Sequence, residues 1–185
     1  MALNPGEVQR RVLSGDPAAF EPVVREFGPM VARICGSRIR GTLAEDAVQE
    51  TFVRAWRGMG TYDPARDMQA WIAGIAYRAA VDIIRSEERH RTRESATGVS
   101  GASSGSESLG TQLPGPDQAL PELLDLYRSL DRLGEEDRAA VTLHHLEELP
   151  VKDVAEALGW SQTKTATRLF RARARLRRSL EGDGR

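Results

Sequence analysis

Apolar positions recur along this chain at three- and four-residue intervals, and no stretch sustains the alternation with β-branched residues that a half-buried strand requires. The pattern predicts an all-α protein. In "TLAEDAVQETFVRAWRGM" Val48, Phe52 and Ala55 form an inward stripe, which leaves Asp46, Gln49, Glu50 and Trp56 more exposed. In "MQAWIAGIAYRAAVDIIRSEERHRTR" Ile72, Ile75, Ala76, Ala79 and Ile83 point inward, and Arg78, Asp82, Arg85 and Arg89 line another face. Breaks at "SGDP" before Ala18, "FGPM" at Phe27 and "MGTYDPARD" from Met59 are expected to separate the N-terminal helices.

The C-terminal pattern is more specific. Val151, Val154, Ala155 and Leu158 make an i, i+3, i+4, i+7 stripe, Gly159 suits a left-handed C-cap, and Ser161 suits the N-cap of the next helix. Two helices joined by so short a turn form a helix-turn-helix, whose second helix enters the DNA major groove. On that second helix Thr165, Leu169, Ala172, Leu176 and Leu180 share an inward face. Lys164, Thr167, Arg171 and Arg178 point the opposite way, flanked by Arg168 and Arg175 on one side and by Phe170 and Arg177 on the other.

Between the halves, Glu94 to Pro116 reads "ESATGVSGASSGSESLGTQLPGP", with Ser and Gly supplying eleven of twenty-three residues and no basic residue. Such a composition cannot bury enough apolar surface to offset its ordering entropy, so no secondary structure is expected in it. The expected division is a domain at 1–93, a Ser/Gly/Pro linker at 94–118 and a domain at 119–185. The linker spans roughly 25 to 30 Å relaxed and on the order of 80 Å extended, which lets the domains sit far apart on one partner.

Charge sharpens the picture. The net charge is only −1, yet Ser161 to Leu180 holds one lysine and six arginines with no acid. Asp125 to Glu156, just upstream, holds nine acids against four bases. Arginine binds phosphates and guanine edges bidentately, and the segment contains no acids of its own to balance it, so DNA binding is the expected role. Aromatic Tyr62, Trp71 and Tyr77 lie among basic groups that include Arg78 and Arg85, the chemistry of unpaired-base stacking. Local self-neutralisation of Arg78, Asp82 and Arg85 is the alternative. Trp56 beside acids and an amide is either a partner-binding surface or a partly buried core residue.

The remaining chemistry is sparse. Cys35 is the single cysteine and is expected to be a buried thiol. Adjacent His144 and His145 point about 100° apart on a helix and lack zinc-protease spacing, and no Gly-rich phosphate loop or GxSxG elbow occurs. Neither a catalytic residue, a metal site nor a cofactor is expected. The N-terminus has no signal-peptide run and no segment approaches the ~20 apolar residues of a membrane span, so a cytoplasmic protein with no direct membrane insertion is expected.

Four blocks in order carry a family resemblance: "EDAVQETFVRAWR" (Glu45 to Arg57), "WIAGIAYRAAVDIIR" (Trp71 to Arg85), "LDRLGEEDRAAVTLHHLEEL" (Leu130 to Leu149) and "VAEALGWSQTKTATRLFRARARLR" (Val154 to Arg177). The chain resembles bacterial sigma-70-type RNA polymerase sigma factors of the extracytoplasmic-function (ECF) group. The resemblance implies a sigma2-like helical bundle and a sigma4-like helix-turn-helix. Asp46, Gln49, Glu50 and Phe52, with Trp56, would bind core RNA polymerase at the β′ clamp helices, and the β flap would be a second polymerase contact. The loop from Gly60 to Met68, with Tyr62, Asp63, Trp71, Tyr77, Arg78 and Arg85, would handle the minus-10 element and hold an extruded base, a costly step that needs a pre-formed pocket. Thr167, Phe170 and Arg171 would lie near minus-35 bases, and Ser161, Thr163, Lys164 and Arg168 near phosphates.

The family also implies an anti-sigma factor as partner and a minimal two-domain form. This chain departs from the common pattern by having Arg78 where many members have Asn, and Ala166 at a usual Lys or Arg, so its promoter bases are not copied from relatives. The competing class is a stand-alone helix-turn-helix regulator of duplex operator DNA, which has no need of the Asp46 to Trp56 block.

Overall fold

A computed structural model describes residues 3–39, 41–97 and 129–182, with the side chains of 94–97 and 180–182 left aside. Among the described residues every regular element is helical. The N-terminal unit holds α1 (Pro5–Leu13), a 3-10 turn at Pro17–Phe20, α2 (Glu21–Gly36), α3 (Thr42–Gly58), a 3-10 turn at Met59–Thr61 and α4 (Met68–Thr97). Local chemistry sets these starts. Asn4 Oδ1 accepts the Glu7 amide at 3.1 Å with Pro5 following it, Asp16 Oδ1 accepts the Ala18 amide at 3.1 Å, and Asp67 Oδ1 accepts the Ala70 amide at 2.8 Å.

Two expected boundaries move. No break occurs at "FGPM": α2 runs straight through with Pro29 inside it. The carbonyl that Pro29 leaves without a helical donor is that of Arg25, and both residues are exposed, on the side of the helix where solvent can replace the lost bond. The break follows Gly36, and Gly41, just before α3, takes φ 69°, a conformation glycine adopts without steric cost. Helix α4 also continues to Thr97, four residues into the expected linker, because adding a turn to an existing helix is cheap once nucleated. The rest of the expected linker lies outside the described residues.

The N-terminal core is filled by Val23, Val31, Ile34 and Cys35 of α2, Ala47, Thr51 and Ala55 of α3, and Ile72, Ala73, Ala76 and Ala80 of α4. The second unit comprises α5 (Glu135–Val141), which widens into a π turn at Thr142–Leu146, then α6 (Val151–Leu158) and α7 (Gln162–Gly182). Gly159 adopts φ 68°, ψ 34°, the left-handed C-cap expected for it. Ser161 Oγ accepts the Lys164 amide at 3.2 Å, as an N-cap does. Leu130, Leu133, Ala140, Val141, Leu169 and Ala172 form the unit's own core, and Thr165 is buried beside them, in agreement with the expected inward face. The side chain of Leu180 lies outside the described residues.

The two units are packed together. Leu143, Leu149, Val154 and Ala157 join the N-terminal core rather than the second one. Arg33 grips Glu147 through both guanidinium edges, Nε to Oε1 at 3.0 Å and Nη2 to Oε2 at 2.6 Å, and Gln69 Nε2 donates to the Glu147 carbonyl at 3.0 Å. Burial pushes the Glu147 carboxyl above its ordinary range, with Arg33 opposing the shift. Arg66 Nη1 meets Glu156 at 2.7 Å and Arg38 Nη2 meets Glu135 at 3.1 Å.

Candidate functional site

On α3, Asp46 and Gln49 are exposed and Glu50 is half-buried, so one strip of this helix offers acids and an amide to solvent. Val53 lies on the same strip, 40% exposed, and helical periodicity marks it only as an apolar residue off the inward stripe. Glu50 accepts from Arg54 Nε at 2.7 Å, and Arg54 Nη1 reaches Asp82 on α4 at 2.6 Å. These two carboxylates hold the Arg54 guanidinium above its ordinary pKa. Asp82 thus pairs across helices rather than with Arg78 and Arg85 on its own. Trp56 is less exposed than its position beside acids predicts: its ring stands edge-on to that of Phe20 at 5.4 Å, and Phe52 meets the Phe20 ring at 6.5 Å. Both are half-buried, the core alternative for Trp56, and they brace α3 while its acidic strip faces outward.

The residues expected at the minus-10 element divide into two sets. Asp63 and Arg85 are exposed. Tyr62 is buried at 3%, its ring 4.8 Å from that of Trp71 and its hydroxyl donating to the Arg66 carbonyl at 2.8 Å. Burial first, then Asp67 and Asp63, raise its phenol pKa. In this conformation Tyr62 is therefore a pillar under the 63–67 loop, with its ring against Trp71. Trp71 is half-buried against it.

The second unit packs beside the rest of this surface, where Tyr77 is half-buried and Arg78 exposed. The guanidinium of Arg38 lies 4.9 Å from the centre of the Tyr77 ring, and desolvation pushes the Tyr77 phenol up. Arg78 Nη1 donates to the carbonyl of Ala157 at 3.0 Å, one residue before the end of α6, where a helix presents unpaired carbonyls and partial negative charge. Desolvation lowers the Arg78 pKa. In this conformation the helix-turn-helix unit sits on the Tyr77 and Arg78 face of α4.

On α7, Ser161, Thr163, Lys164, Thr167 and Arg171 are exposed, and Phe170 is 75% exposed, the largest exposure of any bulky apolar side chain described. An aromatic ring so open at the centre of a basic helix face suits a groove of bases better than it suits water. The arginine cluster is not without acids, however. Asp137 of α5, 2% exposed, accepts from Arg168 Nη1 at 3.1 Å and from Arg175 Nη1 at 2.8 Å. Glu136 pairs with Lys164 at 3.0 Å and with Arg168. Hydrogen bonding from Lys164, and then the charge of Arg168, hold the Glu136 carboxyl below its usual range. Arg168 is thus partly a bracket that fixes α7 on α5, while Arg171 and Phe170 face solvent. Lys164 also lies 4.3 Å from the Trp160 ring centre, so its stem is pre-set beside the N-terminus of α7.

His144 and His145 take structural places: His144 Nδ1 lies 2.7 Å from the Leu149 carbonyl and Arg173 Nε donates to His145 Nε2 at 3.0 Å. Among the described residues no cluster of three metal-ligating side chains occurs, and no helix is long and apolar enough to cross a membrane.

A helical bundle with an acidic outer strip is thus joined to a helix-turn-helix whose second helix is basic and carries an exposed aromatic ring. Two family models match: Sigma-70 region 2 over residues 23–90 and Sigma-70, region 4 over residues 123–176. The RNA polymerase sigma factor CnrH of Cupriavidus metallidurans is 30% identical over 98% of both chains. The ECF RNA polymerase sigma factor SigM of Bacillus subtilis is 32% identical over 73% of this chain and 78% of its own. Among solved structures, CnrH in complex with the cytosolic domain of CnrY is similar with a TM-score of 0.71 at 25% identity, covering 98% of this chain and 99% of that one. RpoE bound to the anti-sigma factor NepR from Bartonella quintana shares the fold with a TM-score of 0.64 at 24% identity, covering 88% and 96%. The chain belongs to the sigma-70 family of RNA polymerase sigma factors, in its ECF group, and is a transcription initiation factor for core polymerase and promoter DNA.

Proposed function

We propose that this protein directs initiation by docking the Asp46, Gln49, Glu50 and Val53 strip of α3 on the β′ clamp helices, with Phe52 and Trp56 supporting that strip from behind. Its 60–68 loop and the Arg78 and Arg85 face of α4 open and hold the minus-10 element. Helix α7 reads the minus-35 element in the major groove, with Phe170, Thr167 and Arg171 toward bases and Ser161, Thr163 and Lys164 toward phosphates, while the C-terminal unit rests on the β flap. The observation that carries this reading is the coexistence of an outward acidic strip on α3 with an outward Phe170 and Arg171 on α7, since a stand-alone regulator needs only the second.

The protein acts by binding energy and leaves the chemistry to the polymerase, and its place is the cytoplasm, where both partners are. Two promoter elements lie more than one helical turn apart, roughly 35 to 60 Å, so the units must separate before both are engaged. The packed arrangement is the resting state, and an anti-sigma protein that holds the units together would keep it so. CnrH, similar over nearly the whole chain, was solved with a second polypeptide bound, which supports that form of control.

The test is run-off transcription and labelled promoter binding with this protein alone and then with purified core polymerase, over a library of upstream sequences. Selective binding and initiation that require the polymerase support the reading. Tight duplex binding by the protein alone, unchanged by polymerase, overturns it.

A further inference from the structure

Helix α1 precedes the region 2 match, which begins at residue 23, yet it is built into the 60–68 loop. The half-buried side-chain amide of Gln9 donates from Nε2 to the Met59 carbonyl at 2.8 Å and to the Tyr62 carbonyl at 2.6 Å. An amide nitrogen carries two hydrogens, so one side chain satisfies both acceptors, which bracket the 3-10 turn leading into the loop. Neighbouring contacts extend the seam: a Cβ on Gly6 would lie 3.7 Å from Pro64 Cβ, and one on Gly60 would lie 3.6 Å from Leu13 Cδ2.

Beyond Tyr62 the loop ties to itself, to α4 and, through Arg66 Nη1 to Glu156 at 2.7 Å, to α6 of the second unit. Tyr62 Oη donates to the Arg66 carbonyl, Asp63 Oδ1 accepts the Ala65 amide at 3.0 Å, and Asp67 caps α4. Asp63 to Asp67 are all exposed. Gln9 therefore fixes the entry of this loop to a separate helix. Helix α1 does not depend on Gln9 for its own attachment, because Val8 and Val12 are buried in the core and Asn4 caps its start.

We infer that Gln9 is a positioning residue for promoter melting, which makes α1 a working part of the minus-10 module. The inference rests on the proposed reading of the 60–68 loop as the holder of an extruded base. A base leaves the duplex only at a cost, so the receiving loop must be in place beforehand, and small displacements of such a loop are amplified in the rate of opening. Gln9 sets that position through two carbonyls without touching DNA.

The experiment uses the full chain with core polymerase and promoter DNA carrying 2-aminopurine at each minus-10 position in turn. Gln9→Met keeps side-chain length and removes both donors, whereas Gln9→Lys keeps a donor group. For Gln9→Met we expect wild-type core affinity and a thermal midpoint that falls but stays well above the assay temperature, with the fluorescence rise of base extrusion slowed about tenfold. Gln9→Lys should recover most of that rate. Extrusion by Gln9→Met at the wild-type rate overturns the inference, as does a loss of extrusion that merely follows a loss of core affinity or of fold. If the wild-type protein itself gives no signal at any position, the base-holding reading of the loop fails, a result distinct from a wild-type signal that Gln9→Met reproduces.

Discussion

Gly74 of α4 faces Ala157 of α6 so closely that a Cβ on it would lie 2.7 Å from the Ala157 carbonyl oxygen and 3.1 Å from its Cα. Backbone atoms cannot swing aside as a side chain can, so the packed arrangement of the two units depends on the missing methyl group. Gly74→Ala should leave the N-terminal bundle intact, because alanine in a helix interior is favoured over glycine by roughly 0.5–1 kcal/mol, yet separate the units. Dye-pair distances across the units should lengthen and amide exchange in α6 should rise. Unchanged distances would show that α6 shifts without release.

Asp137 is the buried acceptor for two arginines that are themselves 34% and 54% exposed. Replacing it with asparagine removes the charge but keeps the shape, and the arginines can turn to water. Asp137→Asn is therefore expected to destabilise the helix-turn-helix unit by about 1–3 kcal/mol, less than a fully buried pair would lose. Urea denaturation followed by CD measures it, and an unchanged midpoint refutes the bracket.

Phe170 contributes little to the fold at 75% exposure. Phe170→Ala should alter stability by less than about 0.5 kcal/mol. Minus-35 binding by the holoenzyme, however, should fall on the order of tenfold if the ring meets an apolar base edge. Footprinting on promoters with an intact and a scrambled minus-35 element separates the two effects: the loss should occur only on the intact one.

Cys35 is fully buried, and that burial pushes its thiol up to about 12 from 9.0, with a hydrogen bond involving Thr51 opposing the shift. The native thiol should resist iodoacetamide at pH 8 and react only on unfolding. An acid whose pKa is raised by folding contributes its full stability below its unfolded value, so stability should decline from about pH 9 upward as the unfolded thiol ionises, by up to ~1.4 kcal/mol per pH unit. Denaturation midpoints of the wild type and Cys35→Ala between pH 8 and 10 should converge as pH rises.

Much of the site was legible without coordinates because it obeys local rules. Gly159 and Ser161 announce the turn between α6 and α7 through φ preference and capping, and the stripe from Thr165 to Ala172 follows from helical period alone. The same reasoning did not foresee that Tyr62 is buried, since aromatic residues among arginines look alike in sequence whether they are open to solvent or support a loop. It also had no signal for Gln9, a polar residue whose two acceptors lie fifty and fifty-three positions away.

The sequence by itself determined that this chain is helical, that its second half holds a helix-turn-helix with a basic second helix, and which positions of that helix face inward. Periodicity, caps and composition act within one or two turns and need no partner. Tertiary structure alone decided what those residues meet: Asp137 supplies acid to the arginines of Ser161 to Leu180, a stretch that has none of its own, Phe20 takes up Trp56, and Ala157 receives both Gly74 and Arg78. The physical reason is that ion pairing and close backbone approach depend on distances of a few ångströms between helices, and the spacing of residues along one helix does not encode the neighbour that will lie against it.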